Sequence, residues 1–419
     1  MTTALPAPTA LRERAAQLDA DDALAPLRER YLLPPDVVYL DGNSLGPLPA
    51  AVPPVLSDVV TRQWGTDLIG SWNVNGWWEA PLRVGDAIGA LIGAAPGQTV
   101  AGDSTSVQLF TALDAAAALR PDRPLLVTDP GHFPTDRYLA DAVARRRGLD
   151  VCRVSPADLP RFLETEGARV AVVSYSPVDF RTGELYDVRA LTRAAHEAGS
   201  LALWDLCHAA GALPLDVDTL GVDLAVGCGY KFLSGGPGAP AFLYVARRHH
   251  ASLETPLPGW TGHADPFGLR RDYTPAPGIA RARIGTPPIL PLLALEAALT
   301  AFDGVDMTQV RDKSLSLTGF FLRCAEELLT PEGFTPVTPA EPGRRGSQVT
   351  LRHPHAHGLT LALAQRAVIA DMRAPDLLRF GVNALYTSHQ DLLTAALRLR
   401  DIAHEAAYDP TPPPPGTVT

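Results

Sequence analysis

Leu224-Ala225-Val226-Gly227-Cys228-Gly229-Tyr230-Lys231-Phe232-Leu233-Ser234-Gly235-Gly236-Pro237-Gly238 begins as an apolar strand and ends as a glycine-rich turn, with a lysine set between two aromatic residues. A short, wholly apolar strand is the pattern of a sheet buried on both faces. The pattern recurs upstream in Pro124-Leu125-Leu126-Val127-Thr128, Val170 to Ser174 and Leu201-Ala202-Leu203-Trp204, which alternate with helical periods at Val107 to Leu119 and Val188 to Glu197. That alternation predicts an α/β fold with a mainly parallel sheet. Ligands of such sheets gather at the carboxyl ends of the strands. Asp205, then His208, and finally Lys231 fall at those ends.

Only two of the 36 basic residues are lysine, Lys231 and Lys313. Arginine cannot lose its proton and form a Schiff base, so a chain that otherwise uses arginine points to Lys231 as a covalent residue. Lys313 lies in the polar run Arg311-Asp312-Lys313-Ser314, which predicts an exposed helix start. Asp223 is expected at the surface or as a cap.

The chain has 419 residues, 46% of them hydrophobic, enough for a large core and two domains. A formal charge of −10 without a basic stripe excludes a nucleic-acid partner. No apolar run has the length of a membrane span, and Met1 to Pro6 lacks a targeting pattern, so a cytoplasmic location and no membrane partner are expected. The four cysteines have no paired spacing, which suggests neither a disulfide framework nor a metal site.

Leu11 to Arg30 reads as a helix and Val37 to Leu40 as a strand. Gly42-Asn43-Ser44-Leu45-Gly46 fits the pattern of a nucleophile elbow, yet too little chain precedes it for the strands and oxyanion loop of a serine hydrolase. Trp64, Trp72, Trp77 and Trp78 form a cluster that serves either as core or as a wall for an aromatic substrate. Asp103-Ser104-Thr105-Ser106 precedes a helix, where it either caps the helix or binds an anion. Phe133-Pro134-Thr135-Asp136 is expected in a loop after a strand, and Ser176 follows the next strand. Residues 303–408 mix helices at Leu315 to Leu329, Leu359 to Ala367 and Gln390 to Ala407 with strands near Ser347 to Arg352 and Leu377 to Val382. The expected boundaries are 1–60 for an N-terminal arm with part of a small domain, 61–295 for the large domain, 296–408 for the small α+β domain and 409–419 for a proline-rich, disordered tail.

A lysine, a strand-end aspartate, a helix N-terminus and an aromatic loop are the parts that pyridoxal 5'-phosphate needs. Together with Leu40 to Gly46, Phe133 to Asp136, Asp205-Leu206-Cys207-His208, Gly259-Trp260-Thr261-Gly262-His263 and Thr286-Pro287-Pro288-Ile289-Leu290, they give the chain a resemblance to the kynureninase family of fold type I pyridoxal-phosphate enzymes. The resemblance spans most of the chain and is to the bacterial type. It implies that Lys231 carries the cofactor, that Asp205 pairs with its ring nitrogen and that Phe133 stacks on the ring. Thr105, Ser106, Tyr230, Trp260 and Thr286 would hold the phosphate, Trp260 and Thr286 coming from the partner of a homodimer. Asp136, Ser176 and His208 would complete the pocket, with Tyr230 as proton donor or relay.

Arg379 matches the arginine that grips the substrate carboxylate, although on sequence alone it could equally lie at the surface. Asn43 and Ser44 are further candidates on the substrate side. The implied reaction is hydrolytic Cβ–Cγ cleavage of L-kynurenine to anthranilate and L-alanine. Thr286 stands where animal-type enzymes, which favour 3-hydroxykynurenine, carry asparagine, so kynurenine is the first choice and a substituted kynurenine the alternative. Another fold type I activity, such as a desulfurase or aminotransferase, and a binding protein that keeps the fold without the cofactor are the remaining readings.

Overall fold

The computed structural model describes residues 8–411, so most of the expected proline-rich tail, from residue 412 on, lies outside the described residues. The chain divides into two compact units. One is formed by Ala51–Pro177 and Tyr186–Thr300; the other takes the chain up to Ala50, the segment Val178–Leu185 and the chain from Ala301 on.

The larger unit is built on a seven-stranded sheet in the order Thr99–Gly102, Ala241–Val245, Leu224–Cys228, Leu201–Asp205, Val170–Tyr175, Leu125–Thr128 and Asp150–Arg153. Ala241–Val245 runs antiparallel to both its neighbours, and the remaining pairs are parallel. Every residue of the strands Leu125–Thr128, Val170–Tyr175, Leu201–Asp205, Leu224–Cys228 and Ala241–Val245 is buried, because helices cover the sheet. Leu109, Leu126, Val172, Leu203, Val226 and Leu243 lie in one core cluster. The helix Val188–Glu197 has the bounds its periodicity predicts, started by the Asp187 carboxylate accepting from the Ala190 N–H at 2.9 Å.

The expected tryptophan cluster divides. Trp77 is buried, donates to Gln63 Oε1 at 2.7 Å and meets Trp72 edge-on, whereas Trp64 is exposed. Asp223 is not a surface or capping residue. It is buried between strands, where its carboxylate accepts from the Ala202 N–H and meets His196, His249 and Arg248 at 2.6–2.8 Å.

In the smaller unit, an antiparallel sheet in the order Asp371–Arg373, Leu377–Gly381, Gln348–Arg352 and Thr335–Pro336 packs on helices that include Met307–Cys324, Ala356–Gln365 and His389–His404. Alternation sorts its two faces. Val349, Leu351, Met372, Leu378 and Phe380 enter the core with Leu317, Phe321 and Leu392, leaving Gln348, Thr350, Asp371, Arg373 and Arg379 for the other face.

Val178–Leu185 lies along that polar face: the carbonyls of Phe180, Arg181 and Thr182 accept from Arg379, Gln348, Thr350 and Thr338. The predicted helix Leu11 to Arg30 breaks in two, Thr9–Ala20 and a 3-10 turn Ala25–Arg30 with Pro26 in its first turn. Lys313 is not at an exposed helix start. It lies within Met307–Cys324, buried, with Nζ 2.6 Å from Asp22 Oδ2.

Candidate active site

Six of the seven strands of the larger unit, all but Ala241–Val245, bring their carboxyl ends to one edge of the sheet. Leu224–Cys228 runs into a loop that closes on itself: Ser234 N–H donates to Lys231 O at 2.9 Å and Gly235 N–H to Gly229 O at 2.8 Å. Gly229 and Gly235 permit the closure, since a Cβ on Gly229 would stand 2.5 Å from Pro240 O and one on Gly235 2.6 Å from Leu295 Cδ1. The loop holds Lys231 half-buried, Nζ 3.1 Å from Nε2 of buried His208.

Asp205 ends the neighbouring strand. Its Oδ1 accepts from the Cys207 N–H at 2.9 Å, and among the described residues no hydrogen bond reaches Oδ2. Burial opposes the charge on Lys231, but the Cys228, Cys207, Tyr230 and Asp205 groups around it outweigh that and raise its affinity for the proton. Burial and the Asp205 charge push Asp136 well above the carboxylate range. Burial, with Cys228 beside it, pushes the Tyr230 phenol up to about 12. Tyr230 therefore holds its proton at neutral pH more firmly than a free phenol does.

Phe133 ends the loop after the strand as expected, whereas Asp136 is not in a loop. Phe133 is the N-cap of the helix Pro134–Arg147, and Asp136 sits in its first turn with its carboxylate 3.3 Å from His132 Nδ1. Proline at the first helical position explains the start. Thr105 opens the helix Thr105–Ala118, whose Ser104 hydroxyl accepts from the Val107 N–H. The turn before it puts Asp103 at φ +52°, and the N–H groups of Thr105 and Ser106, which precede the first intrahelical bond, stand beside the exposed Ser106. Ser176 follows the strand Val170–Tyr175 and is half-buried. Exposed Thr286 lines a small cavity with Gly102, Asp103 and Gln108. Trp260 is partly exposed, its ring 5.4 Å from Trp78 and 6.0 Å from Phe267.

In the smaller unit Arg379 is not a surface arginine: it is fully buried. Strand register sets it opposite Asp371, and the two form a forked pair, Nε to Oδ1 at 2.8 Å and Nη2 to Oδ2 at 2.5 Å. Nη2 also reaches Ser44 Oγ at 3.1 Å, and Ser44 donates to Asp371 Oδ2 at 2.7 Å. Ser44 is thus a member of an ion-pair cluster and not the exposed nucleophile of an elbow. Asn43 is buried beside it, with Nδ2 3.4 Å from Gln348 Oε1.

The kynureninase of Deinococcus radiodurans is 47% identical to this chain over 413 residues, which cover 97% of the chain and 99% of that protein. The chain belongs to the kynureninase family. A second member, the kynureninase of Burkholderia pseudomallei strain 1106a, is 44% identical over 406 residues, 95% of this chain and 96% of that protein. The sequence profile described as the kynureninase C-terminal domain matches residues 310–399.

Among solved structures, a cysteine desulfurase of Thermococcus onnurineus NA1 superposes with a TM-score of 0.77 at 17% identity, over 91% of this chain and 98% of that one. The cystine C–S lyase C-DES, solved with cysteine persulfide, gives 0.76 at 16% identity, over 88% and 98%. These likenesses show the fold, α/β with a large and mainly parallel sheet beside a smaller antiparallel one, which this member of the kynureninase family shares with desulfurases.

Asp371 and Arg373 of the small-unit cluster have no place in the sequence reading, and Asp41 entered it only within the Leu40 to Gly46 stretch, with no role. Burial and the Asp371 charge push Asp41 up to about 7, whereas burial is overcome at Asp371 by the Arg379 hydrogen bonds, which hold it below the usual range. The pattern Asp371-Met372-Arg373, polar on alternate residues of a strand, is the signal that could have found two of them.

Proposed function

We propose that the protein is a pyridoxal-phosphate-dependent kynureninase that hydrolyses the Cβ–Cγ bond of L-kynurenine to give anthranilate and L-alanine. The observation that carries this reading is the grouping of Lys231, His208 and Asp205 at one strand edge, in a chain of this family. The residues fit the cofactor. A half-buried amine meets the aldehyde, Asp205 has Oδ2 open for a protonated ring nitrogen, and the Thr105 helix start offers N–H groups and hydroxyls for a phosphate. When bound, the cofactor supplies an electron sink next to the substrate amine.

The chain's own groups then do the rest. Asp205 Oδ2 keeps the ring-nitrogen proton in place, and Phe133 orients the ring. Thr105, Ser106 and Tyr230 anchor the phosphate, and Asp136, Ser176 and His208 line the pocket. Lys231 Nζ takes the proton from the substrate Cα, with His208 Nε2 holding the amine in position. Water adds to the side-chain carbonyl carbon and supplies the oxygen of the anthranilate carboxylate, and Tyr230 Oη, a phenol that is protonated at neutral pH, donates or relays the proton that Cβ takes as the Cβ–Cγ bond breaks. Arg379 and Ser44 serve the substrate carboxylate, with Asn43 packed behind them.

We also infer a homodimer in which Trp260 and Thr286 serve the partner's phosphate. Both are open to solvent in one chain, and Trp78, Trp260 and Phe267 form an aromatic group beside exposed Leu269. A desulfurase needs a cysteine on a mobile loop, whereas Cys207, Cys228 and Cys324 are buried and Cys152 lies in a strand.

The test is the purified protein with pyridoxal phosphate. Visible absorbance that borohydride abolishes, and anthranilate fluorescence on adding L-kynurenine, are expected; 3-hydroxykynurenine assayed in parallel ranks the two substrates. Lys231→Arg removes both the absorbance and turnover and leaves the far-UV circular dichroism unchanged. Normal anthranilate release from that variant contradicts the assignment.

A further inference from the structure

The polar face of the small sheet carries more positive charge than its neighbours neutralise. Arg379 and Arg373 both aim a guanidinium nitrogen at Oδ2 of Asp371, at 2.5 Å and 2.9 Å. Ser44 donates to the same oxygen at 2.7 Å, so Asp371 has no capacity left there. Arg379 has five N–H groups. Four are spent, on Asp371 twice, on Ser44 and on the Phe180 carbonyl. An arginine engaged in this way cannot present the two parallel N–H groups that make a strong carboxylate clamp.

Arg373 is the opposite case. Its Nη1 meets Asp371 and the Met372 carbonyl, and among the described residues Nε and Nη2, the parallel edge, have no partner. Its side chain is 32% exposed against 1% for Arg379, so a ligand can reach it. The other nearby carboxyl, Asp41, is pushed up to about 7 by burial and by Asp371 and offsets only part of the second cation near neutral pH. Two guanidinium groups sharing one fully ionised carboxylate in a desolvated setting are stabilised by a further anion.

We propose that Arg373 is a second ligand for the substrate α-carboxylate, gripping it through Nε and Nη2 while Arg379 adds its one remaining N–H. Asp371 is the positioning residue that fixes both guanidinium groups. The inference rests on the reading above only in taking the substrate to be an α-amino acid.

The test uses the holoprotein and two measurements. The first is KM and kcat on L-kynurenine. The second is calorimetric binding of L-alanine and of ethylamine, which share the amine and methyl group and differ in the carboxylate. In Arg373→Gln the KM rises and L-alanine binding weakens by roughly 10- to 100-fold, the range for a lost charge-assisted contact, while kcat changes by less than about threefold. Ethylamine binding stays within about twofold, and Arg373→Lys restores part of the loss, since it keeps the charge and loses the fork.

L-alanine binding within about twofold of wild type, or ethylamine binding weakened in parallel, overturns the proposal. If Arg373→Gln does not fold, Arg373→Lys decides alone: unchanged L-alanine affinity is then the overturning result. A wild-type protein that binds L-alanine through Arg373 but releases no anthranilate from kynurenine sinks the kynureninase reading and leaves this site standing.

Discussion

Asp41 and Asp371 are both aspartates on the same side of the small sheet, and their surroundings drive them apart. Asp371 has two guanidinium groups on it and stays ionised; Asp41 has burial and a neighbouring negative charge, and is pushed up to about 7. A carboxyl whose folded-state affinity for the proton exceeds the unfolded one contributes stability that is fully present below about pH 4 and is lost as pH rises through about 7. Asp41→Asn therefore melts at the same temperature as wild type near pH 3.5 and at a higher one near pH 8, which scanning calorimetry at the two pH values measures. No rise at pH 8 means that Asp41 is ionised without cost. At this scale the sequence was legible for where Lys231, Asp205 and His208 lie, because strand ends are set by local pattern. It was misleading for Lys313, because the polar run Arg311 to Ser314 reads as an exposed helix start and carries no sign of Asp22, the distant carboxylate that holds the amine in a buried ion pair.

Among the elements, runs such as Leu201–Asp205 and the helix Val188–Glu197 follow directly from apolar pattern and capping, since both depend on residues within one turn or one strand. Phe133-Pro134-Thr135-Asp136 did not, because a proline there both breaks a preceding strand and starts a helix, and polarity alone could not say which. Asp223 shows what packing adds to an element. Burial alone would raise its carboxyl, yet His196, His249, the Ala202 N–H and Arg248 lower it far below the ordinary range. The stability this confers is present above about pH 4 and is lost as the pH falls below it. Asp223→Asn lowers the stability by about 3 kcal/mol at pH 7, where a buried ionic network is broken, and the gap to wild type narrows below pH 4. Chemical denaturation at pH 7 and pH 3.5 checks it; a gap that is the same at both excludes the ionic account.

For the whole molecule, the larger unit displays apolar side chains that a free surface does not explain: Ile69 is 81% and Val74 77% exposed, with Leu269 at 84%. If a second copy covers the Ile69 segment, Ile69→Glu shifts the sedimentation coefficient from dimer to monomer and weakens pyridoxal-phosphate retention. A monomeric wild type, or a dimer untouched by the variant, removes the partner from the phosphate site. Val178–Leu185 belongs to this scale as well. Its eight residues lie within the run of the larger unit in sequence and join the smaller unit in space, because their carbonyls complete the hydrogen bonding of the Gln348, Thr350 and Arg379 face.

The sequence by itself determined the α/β class, the strand ends that carry Lys231 and Asp205, and the family, since each rests on patterns a few residues long or on motifs read in order. Only the tertiary structure decided that Arg379 is buried in a fork with Asp371, that Ser44 is a ligand of that pair and that Arg373 keeps an open edge. Those facts come from the register between Asp371–Arg373 and Leu377–Gly381 and from a distant segment laid over them. An arginine's partners are chosen by packing across strands, and no local pattern carries that information.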